Sequence, residues 1–157
     1  MEWKHLARFL LSGSSMGEPY AILLVRLLLG LFFGISGANK LFVASDRENI
    51  YQTLVKAKIP FPRGTARFVA GVEFICGGLL ALGFLSKLAS MALLIDMVVA
   101  ALTVSVPALP KALSPVKWFD DLLYLPEVLY ALFFIWLLCA GSGRFSVDYF
   151  ILNNLVT

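Results

Sequence analysis

Long apolar stretches dominate the pattern of hydrophobic and polar positions along the chain. Four of them reach roughly the 20 residues that a helix needs to cross a bilayer. We predict membrane-spanning helices over about residues 20–42, 65–85, 87–106 and 123–140. The connections are short enough for successive spans to run antiparallel. The predicted fold class is therefore all-α, an antiparallel four-helix membrane bundle in a single integral-membrane domain over residues 1–157.

The connection between the first and second spans carries a helix signal of its own. Ser45 and Glu48 have the spacing of a capping box, and Lys56 lies where a helix dipole favours a cation. The apolar residues of this segment fall on one face: Tyr51, Leu54 and Val55. We therefore predict a short amphipathic helix over about residues 46–57 that lies on the membrane surface.

A second amphipathic pattern occurs near the N-terminus. Trp3 and Phe9 fall on one helical face, and Lys4 and Arg8 fall on another. This pattern predicts a short interfacial helix ahead of the first span.

Composition narrows the class of protein. The chain is 60% hydrophobic and 15% charged, whereas a soluble domain is about half apolar. Its net charge of +3 is scattered, with no basic stripe, so we expect no nucleic-acid partner. Cys76 and Cys139 lie in apolar runs without a C-x-x-C motif, which is typical of buried small hydrophobes. The single histidine, His5, has no companions that would make a metal site.

Each predicted span contains a charged residue, and the four are Arg26, Glu73, Asp96 and Glu127. Such a group costs roughly 2.5–3.5 kcal/mol at the centre of a membrane helix, so it normally faces a bundle interior and finds a partner. Counted from the side that holds the chain termini, Arg26 lies roughly 9 Å deep, Asp96 roughly 13 Å and Glu73 roughly 18 Å. We therefore predict one shared layer for these three side chains, and a second layer for Lys40 and Glu127.

Helical spacing supports an inward direction for these groups. Arg26, Gly30, Phe33, Gly37 and Lys40 form one stripe on the first span. The other two stripes are Glu73, Cys76, Gly77 and Leu80 on the second span, and Tyr124, Glu127, Tyr130 and Ala131 on the fourth.

The charges inside the predicted bundle do not balance. Two cations face three carboxyl groups, so at least one acid lacks a dedicated positive partner. In an apolar site such an acid is expected to be neutral and able to donate a hydrogen bond. The charges therefore allow two interpretations: they set the register of the helices, or they bind a ligand and handle protons.

Three segments resemble the DoxX family of small four-helix membrane proteins. The first contains Arg26 and the sequence Gly37-Ala38-Asn39-Lys40-Leu41. The second is the segment 72–83, with its intramembrane Glu73 followed by paired glycines, and the third is the segment 141–148, which ends the last span. From the first segment to the last they span most of residues 20–150.

The resemblance implies a membrane location and a link to redox chemistry. The family takes its name from a subunit of an archaeal thiosulfate:quinone oxidoreductase, and other relatives act as membrane partners in oxidative-stress complexes or as assembly factors. It also implies a prokaryotic inner (plasma) membrane with cytoplasmic termini. The count of Lys and Arg in the connections favours the opposite orientation, and we follow the resemblance.

The first functional hypothesis is a subunit or partner of a quinone-linked redox system. Glu73 and Asp96 would be its catalytic carboxyl groups. The predicted substrate-binding residues are Arg26, Phe33, Lys40 and Glu127. Quinone is the expected small-molecule ligand, and the sequence contains no pattern for a covalently bound cofactor. The electrons would therefore come from the substrate or from a redox protein partner.

Two other functions remain open at this stage. A non-catalytic scaffold or assembly partner would use two docking surfaces: the amphipathic helix, and the third connection with its aromatic residues Trp118, Phe119 and Tyr124. A small-solute transporter would use the buried charges as a permeation path, although the sequence shows neither paired broken helices nor an inverted repeat.

Overall fold

The computed structural model describes residues 17–110 and 114–156, and within these ranges it is helical throughout, without strands. The amphipathic segment around residues 3–10 lies outside the described residues. In chain order the helices are α1 (Glu18–Phe42), α2 (Ala44–Lys56), α3 (Pro62–Leu82), α4 (Ser86–Ala108), α5 (Pro115–Leu123), α6 (Pro126–Ala140) and α7 (Val147–Val156).

Within the described ranges, three helices are long and apolar enough to cross a membrane: α1, α3 and α4. Helices α5 and α6 qualify only as one broken span, bent by 63° at their junction. Outer-face side chains such as Leu24 and Ile95 are 59% and 57% exposed, which suits helices surrounded by acyl chains. The bounds of α1, α3, α4 and α6 lie within three residues of the four predicted spans, but the fourth span qualifies only together with α5, which begins at Pro115.

Helix α1 packs most extensively against α3, at a separation that only glycine permits. A side chain on Gly37 would collide with the backbone of Phe74, and one on Gly77 would collide with the backbone of Gly34. Because the contact positions rise along α1 as they fall along α3, the two helices are antiparallel. The predicted glycine stripes are therefore a real helix–helix interface of the close-packed kind common in membranes.

Helix α4 follows α3 after a short turn and packs against α3 and α6. Its hydrogen bonding widens into a π-helical turn over Ala101–Ser105 before it ends. Such turns are found mostly as single insertions at functional sites. This one lies on the side of the bundle where α1 ends and α6 begins.

A break at Tyr124 and Leu125 separates α5 from α6. Pro126 is the first residue of α6, and it disfavours a helical conformation for the residue before it; Leu125 is accordingly extended. Tyr124 is 80% exposed, so its predicted place on the inward stripe of the fourth span is wrong. The sequence analysis also missed α5, whose start at Ser114-Pro115 is a recognisable helix N-terminus.

Helix α2 confirms a helix between the first two spans, but its predicted cap is wrong. The helix begins at Ala44 after the extended residue Val43, without a side-chain cap. Ser45 donates to its neighbour Asp46 instead. One side of α2 faces the bundle, because Leu54 is only 9% exposed and α2 contacts both α1 and α3.

Candidate functional site

An ion pair joins α1 to α3 inside the bundle. Lys40 Nζ lies 2.6 Å from each carboxylate oxygen of Glu73, and the Ser36 hydroxyl donates to Glu73 at 3.4 Å. The Glu73 side chain is 4% exposed and that of Lys40 is 26% exposed. Charged groups in an apolar interior persist when they are closely paired and hydrogen-bonded, and this pair meets both conditions.

The ion pair lines a partly open cavity of about 300 Å³ whose wall includes residues of α1, α2, α3, α4 and α6. This volume is at the lower end of the range for small-molecule sites. Five of the six side chains that the sequence analysis singled out line it: Phe33, Lys40, Glu73, Asp96 and Glu127. Four groups that were assigned to two separate layers therefore surround a single space.

Two carboxyl groups in the cavity wall have unused hydrogen-bonding capacity. Asp96 Oδ2 and Glu127 Oε2 are both buried and have no partner among the described residues. The other Glu127 oxygen accepts a hydrogen bond of 2.8 Å from the Ser105 hydroxyl, which the π-helical turn of α4 places beside α6. A buried polar atom without a partner costs about 1–3 kcal/mol, so these two oxygens are available for a further polar contact.

Aromatic rings form another part of the cavity wall. Phe33 is 2% exposed, and its ring centroid lies 5.3 Å from those of Tyr130 and Phe134 on α6. Phe32 lies 5.1 Å from the Tyr130 ring. This cluster joins α1 to α6 and gives the cavity an apolar, aromatic part beside its carboxyl groups.

Arg26 lies elsewhere, and the prediction that it shares a layer with Glu73 and Asp96 is wrong. Its guanidinium donates to the carbonyl oxygens of Ser142 at 3.1 Å and Phe145 at 2.5 Å, in the segment that follows α6. Arg26 does not line the cavity, although it is buried with only 2% exposure. The substrate-binding role predicted for it has no support from this location.

The error comes from the direction of long side chains on a helix. Side chains on an α-helix lean toward its N-terminus. The Arg26 guanidinium therefore reaches toward the end of the bundle where α1 begins, while the Lys40 ammonium reaches back toward the middle. Arg26 and Lys40 are separated by about 21 Å along the helix axis. Because both side chains lean in the same direction, their charged groups stay about as far apart as the two Cα atoms.

The sequence analysis did not identify the contacts by which Arg26 and Asp148 hold the ends of several helices together. Asp148 accepts hydrogen bonds from the backbone N–H groups of Leu85 at 2.7 Å and Ser86 at 2.9 Å, which caps the start of α4. Gly83 has a φ of +71°, and a side chain there would collide with the Arg26 guanidinium. The available signal was an arginine in the first span and an aspartate after the last span. Their partners could not be identified from the sequence, because they are mostly backbone groups.

Helix α2 closes the cavity from one end. Ile50, Thr53 and Leu54 of α2 line it, and so does Thr65 of α3. The sequence analysis predicted an apolar face containing Leu54 but assigned it to the membrane surface. The spacing of Ile50 and Leu54 was the available signal that this face covers the bundle interior.

Comparison with known proteins identifies the family. The DoxX family profile matches residues 21–106, which contain Phe33, Lys40, Glu73 and Asp96. The chain is 33% identical over 133 residues to Rv3486, an uncharacterized membrane protein of Mycobacterium tuberculosis, across 83% of this chain and 80% of that protein. No solved structure matches. On these grounds the chain is a membrane protein that belongs to the DoxX family.

Proposed function

We propose that the cavity binds the head group of a quinone, and that the protein is a subunit or partner of a quinone-linked redox system. The observation that carries this proposal is that two buried, unpartnered carboxyl oxygens and an aromatic cluster line one space of about 300 Å³. A quinone presents a flat apolar ring with oxygen atoms at its edge, and both features have matching surfaces here. Families that share a fold differ in activity, so the argument rests on this site.

Asp96 and Glu127 are the groups proposed to contact the ligand. A neutral carboxyl group donates a hydrogen bond to a carbonyl oxygen, and a carboxylate accepts one from a hydroxyl group. The same side chain therefore contacts either form of the ligand by giving up or taking one proton. Phe33 and Tyr130 supply the apolar contact for the ring.

The Lys40–Glu73 pair has a different proposed role. Each Glu73 oxygen is already engaged by Lys40, so the pair is less available to a ligand than Asp96. We assign it to holding α1 and α3 in place and to fixing a positive charge beside the cavity. Glu73 remains a proton-handling group because it faces the same space as Asp96.

A bound quinone would supply two-electron redox chemistry, and the electrons would come from a redox protein partner. We propose the prokaryotic inner membrane as the location, with four spans counting α5 and α6 together and with cytoplasmic termini. The protein by itself would bind the ligand and exchange protons with it.

Retention of quinone tests the proposal. The protein is extracted in lipid nanodiscs from cells that make quinone, and bound quinone per protein is measured by mass spectrometry of the organic extract. Loss of one hydrogen bond of about 1.4 kcal/mol lowers affinity about tenfold. Asp96→Asn should lower the retained quinone by this order, and Phe33→Leu should lower it through the lost aromatic contact with the ring.

Matched controls lie outside the cavity. Asp120→Asn removes an exposed acid of α5, and Phe68→Leu trims a 72% exposed ring on the outer face of α3; both should retain quinone as the unmodified protein does. Wild-type protein that retains no quinone, or cavity variants that retain as much as these controls, would overturn the proposal.

A scaffold role is the second candidate. The exposed side of α5 favours it, because Val116 is 82% exposed and Phe119 is 57% exposed on a helix that has few contacts with the bundle. Cross-linking from position 119 in cells should then recover a defined protein partner. The scaffold role would be favoured over the redox role by two results together: Phe119→Ala loses that partner, and neither the unmodified protein nor this variant retains quinone.

A further inference from the structure

A second, polar depression adjoins the cavity. It has a volume of about 410 Å³ and lies between α1 and α2. Its lining is polar apart from one residue: Ser36, Asn39, Lys40, Asp46, Asn49, Ile50 and Thr53. Asn39 and Asn49 are exposed, so the depression opens at the surface of the protein beside α2.

The depression and the cavity share a wall. Ser36, Lys40, Ile50 and Thr53 line both spaces. The Lys40 side chain is 26% exposed, whereas Glu73, which touches only the cavity, is 4% exposed. Side-chain exposure therefore falls from the exposed Asn39 and Asn49 in the depression to Lys40 in the shared wall, and again to Glu73 in the cavity.

We propose that this depression is the proton access site of the cavity. Hydrated protons from the aqueous phase beside α2 reach Glu73 across the wall formed by Ser36 and Lys40. The Ser36 hydroxyl already points its proton at Glu73 Oε2. It passes that proton to the carboxylate and takes another from water in the depression, so the serine is unchanged after each transfer.

The lining matches water rather than lipid or an organic ligand. Two hydroxyls, two carboxamides, a carboxylate and an ammonium group give several hydrogen-bonding positions in one small space, which is what ordered water requires. Other residues of the cavity wall, such as Phe32 and Val99, are apolar and exposed on the outer face, and they offer no hydrogen bonds to a moving proton. A further depression between α2 and α4 shares Thr53, Thr103 and Val104 with the cavity, but it does not reach Ser36, Lys40 or Glu73.

The proposed proton path rests on the proposed function, because a quinone site is what would use the protons. The test of the path needs neither ligand nor turnover, so the path and the quinone proposal can fail separately.

The test uses a reactive thiol in the shared wall. The protein carries Cys76→Ala and Cys139→Ala to remove its own thiols, and Ser36→Cys places a thiol in that wall. Vesicles of known orientation are then treated on one side with a membrane-impermeant quaternary-ammonium methanethiosulfonate.

Ser36→Cys should react when the reagent is on the α2 side only. Adding Asn49→Trp fills the depression and should slow this reaction at least about tenfold, a barrier change of about 1.4 kcal/mol. Gln52→Trp is the matched control, because Gln52 is exposed on the same helix but lines neither space. It should leave the rate unchanged. Ala131→Cys, packed against the core, should not react from either side.

Proton movement is read separately by infrared spectroscopy of the carboxyl bands after a change to deuterated buffer. Asn49→Trp should slow hydrogen–deuterium exchange of the cavity carboxyl groups, and Gln52→Trp should not. An unreactive Ser36→Cys, or thiol and exchange rates that Asn49→Trp leaves unchanged, would overturn this inference. Absence of retained quinone would overturn the proposed function and leave the water path standing.

Discussion

Lys40 Nζ is equidistant, at 2.6 Å, from the two carboxylate oxygens of Glu73, and this contact joins the C-terminal turn of α1 to the middle of α3. Glu73 is almost fully buried, so each member of the pair compensates the charge of the other. The same two residues form part of the cavity wall. The pair therefore links the stability of the helix interface to the electrostatics of the candidate site.

Removing one member of this pair should cost more than removing both. Lys40→Met leaves Glu73 without its cation and should lower the free energy of unfolding by about 3 kcal/mol. The double variant Lys40→Met/Glu73→Gln leaves no uncompensated charge and should recover much of that loss. Thermal or denaturant unfolding in detergent micelles measures all the variants, and costs that simply add in the double variant would contradict the pairing.

Neighbouring glycines on α3 should respond differently to the same substitution. Gly77→Ala introduces a methyl group against the backbone of α1 and should destabilise by about 1–3 kcal/mol through overpacking. Gly78→Ala meets nothing within 4 Å and should be neutral or slightly stabilising, because alanine favours the helix. Melting temperatures of the two variants test this, and equal effects would contradict the close α1–α3 contact.

Arg26 should stabilise the contacts between α1, the start of α4 and the segment after α6. It should not contribute to ligand retention. Arg26→Lys keeps the charge but loses the planar fork that reaches two carbonyl groups. We expect faster backbone hydrogen exchange in residues 142–148, measured by mass spectrometry. Quinone retained per folded protein should stay unchanged. A loss of quinone without faster exchange would instead return Arg26 to the ligand site.

Much of the fold follows from the sequence because its signals are local. Length and apolarity fixed the spans, and helical spacing identified the buried stripe of Arg26, Phe33 and Gly37. The break before Pro126 and the short helices α5 and α7 were missed, because the aromatic and apolar residues of these segments also fit a loop at the membrane interface.

The sequence identified five of the side chains that line the cavity, but it did not predict how they are arranged. Depth arithmetic placed Cα atoms, whereas the charged ends of Arg26 and Lys40 are displaced from their Cα atoms in the direction of the helix N-terminus. The contribution of Ser105 depended on a π-helical turn, which has no simple sequence pattern. The partners of Asp148 and Arg26 are mainly backbone groups, and contacts of that kind leave no mark in the sequence.

A crystal structure grown in a lipidic mesophase with a short-chain quinone tests the central claim most directly. The account predicts ring-shaped density against Phe33, with an oxygen atom within hydrogen-bonding distance of Asp96 or Glu127. Density confined to the Arg26 end of the bundle, or a cavity that stays free of the quinone at saturating concentration, would contradict it.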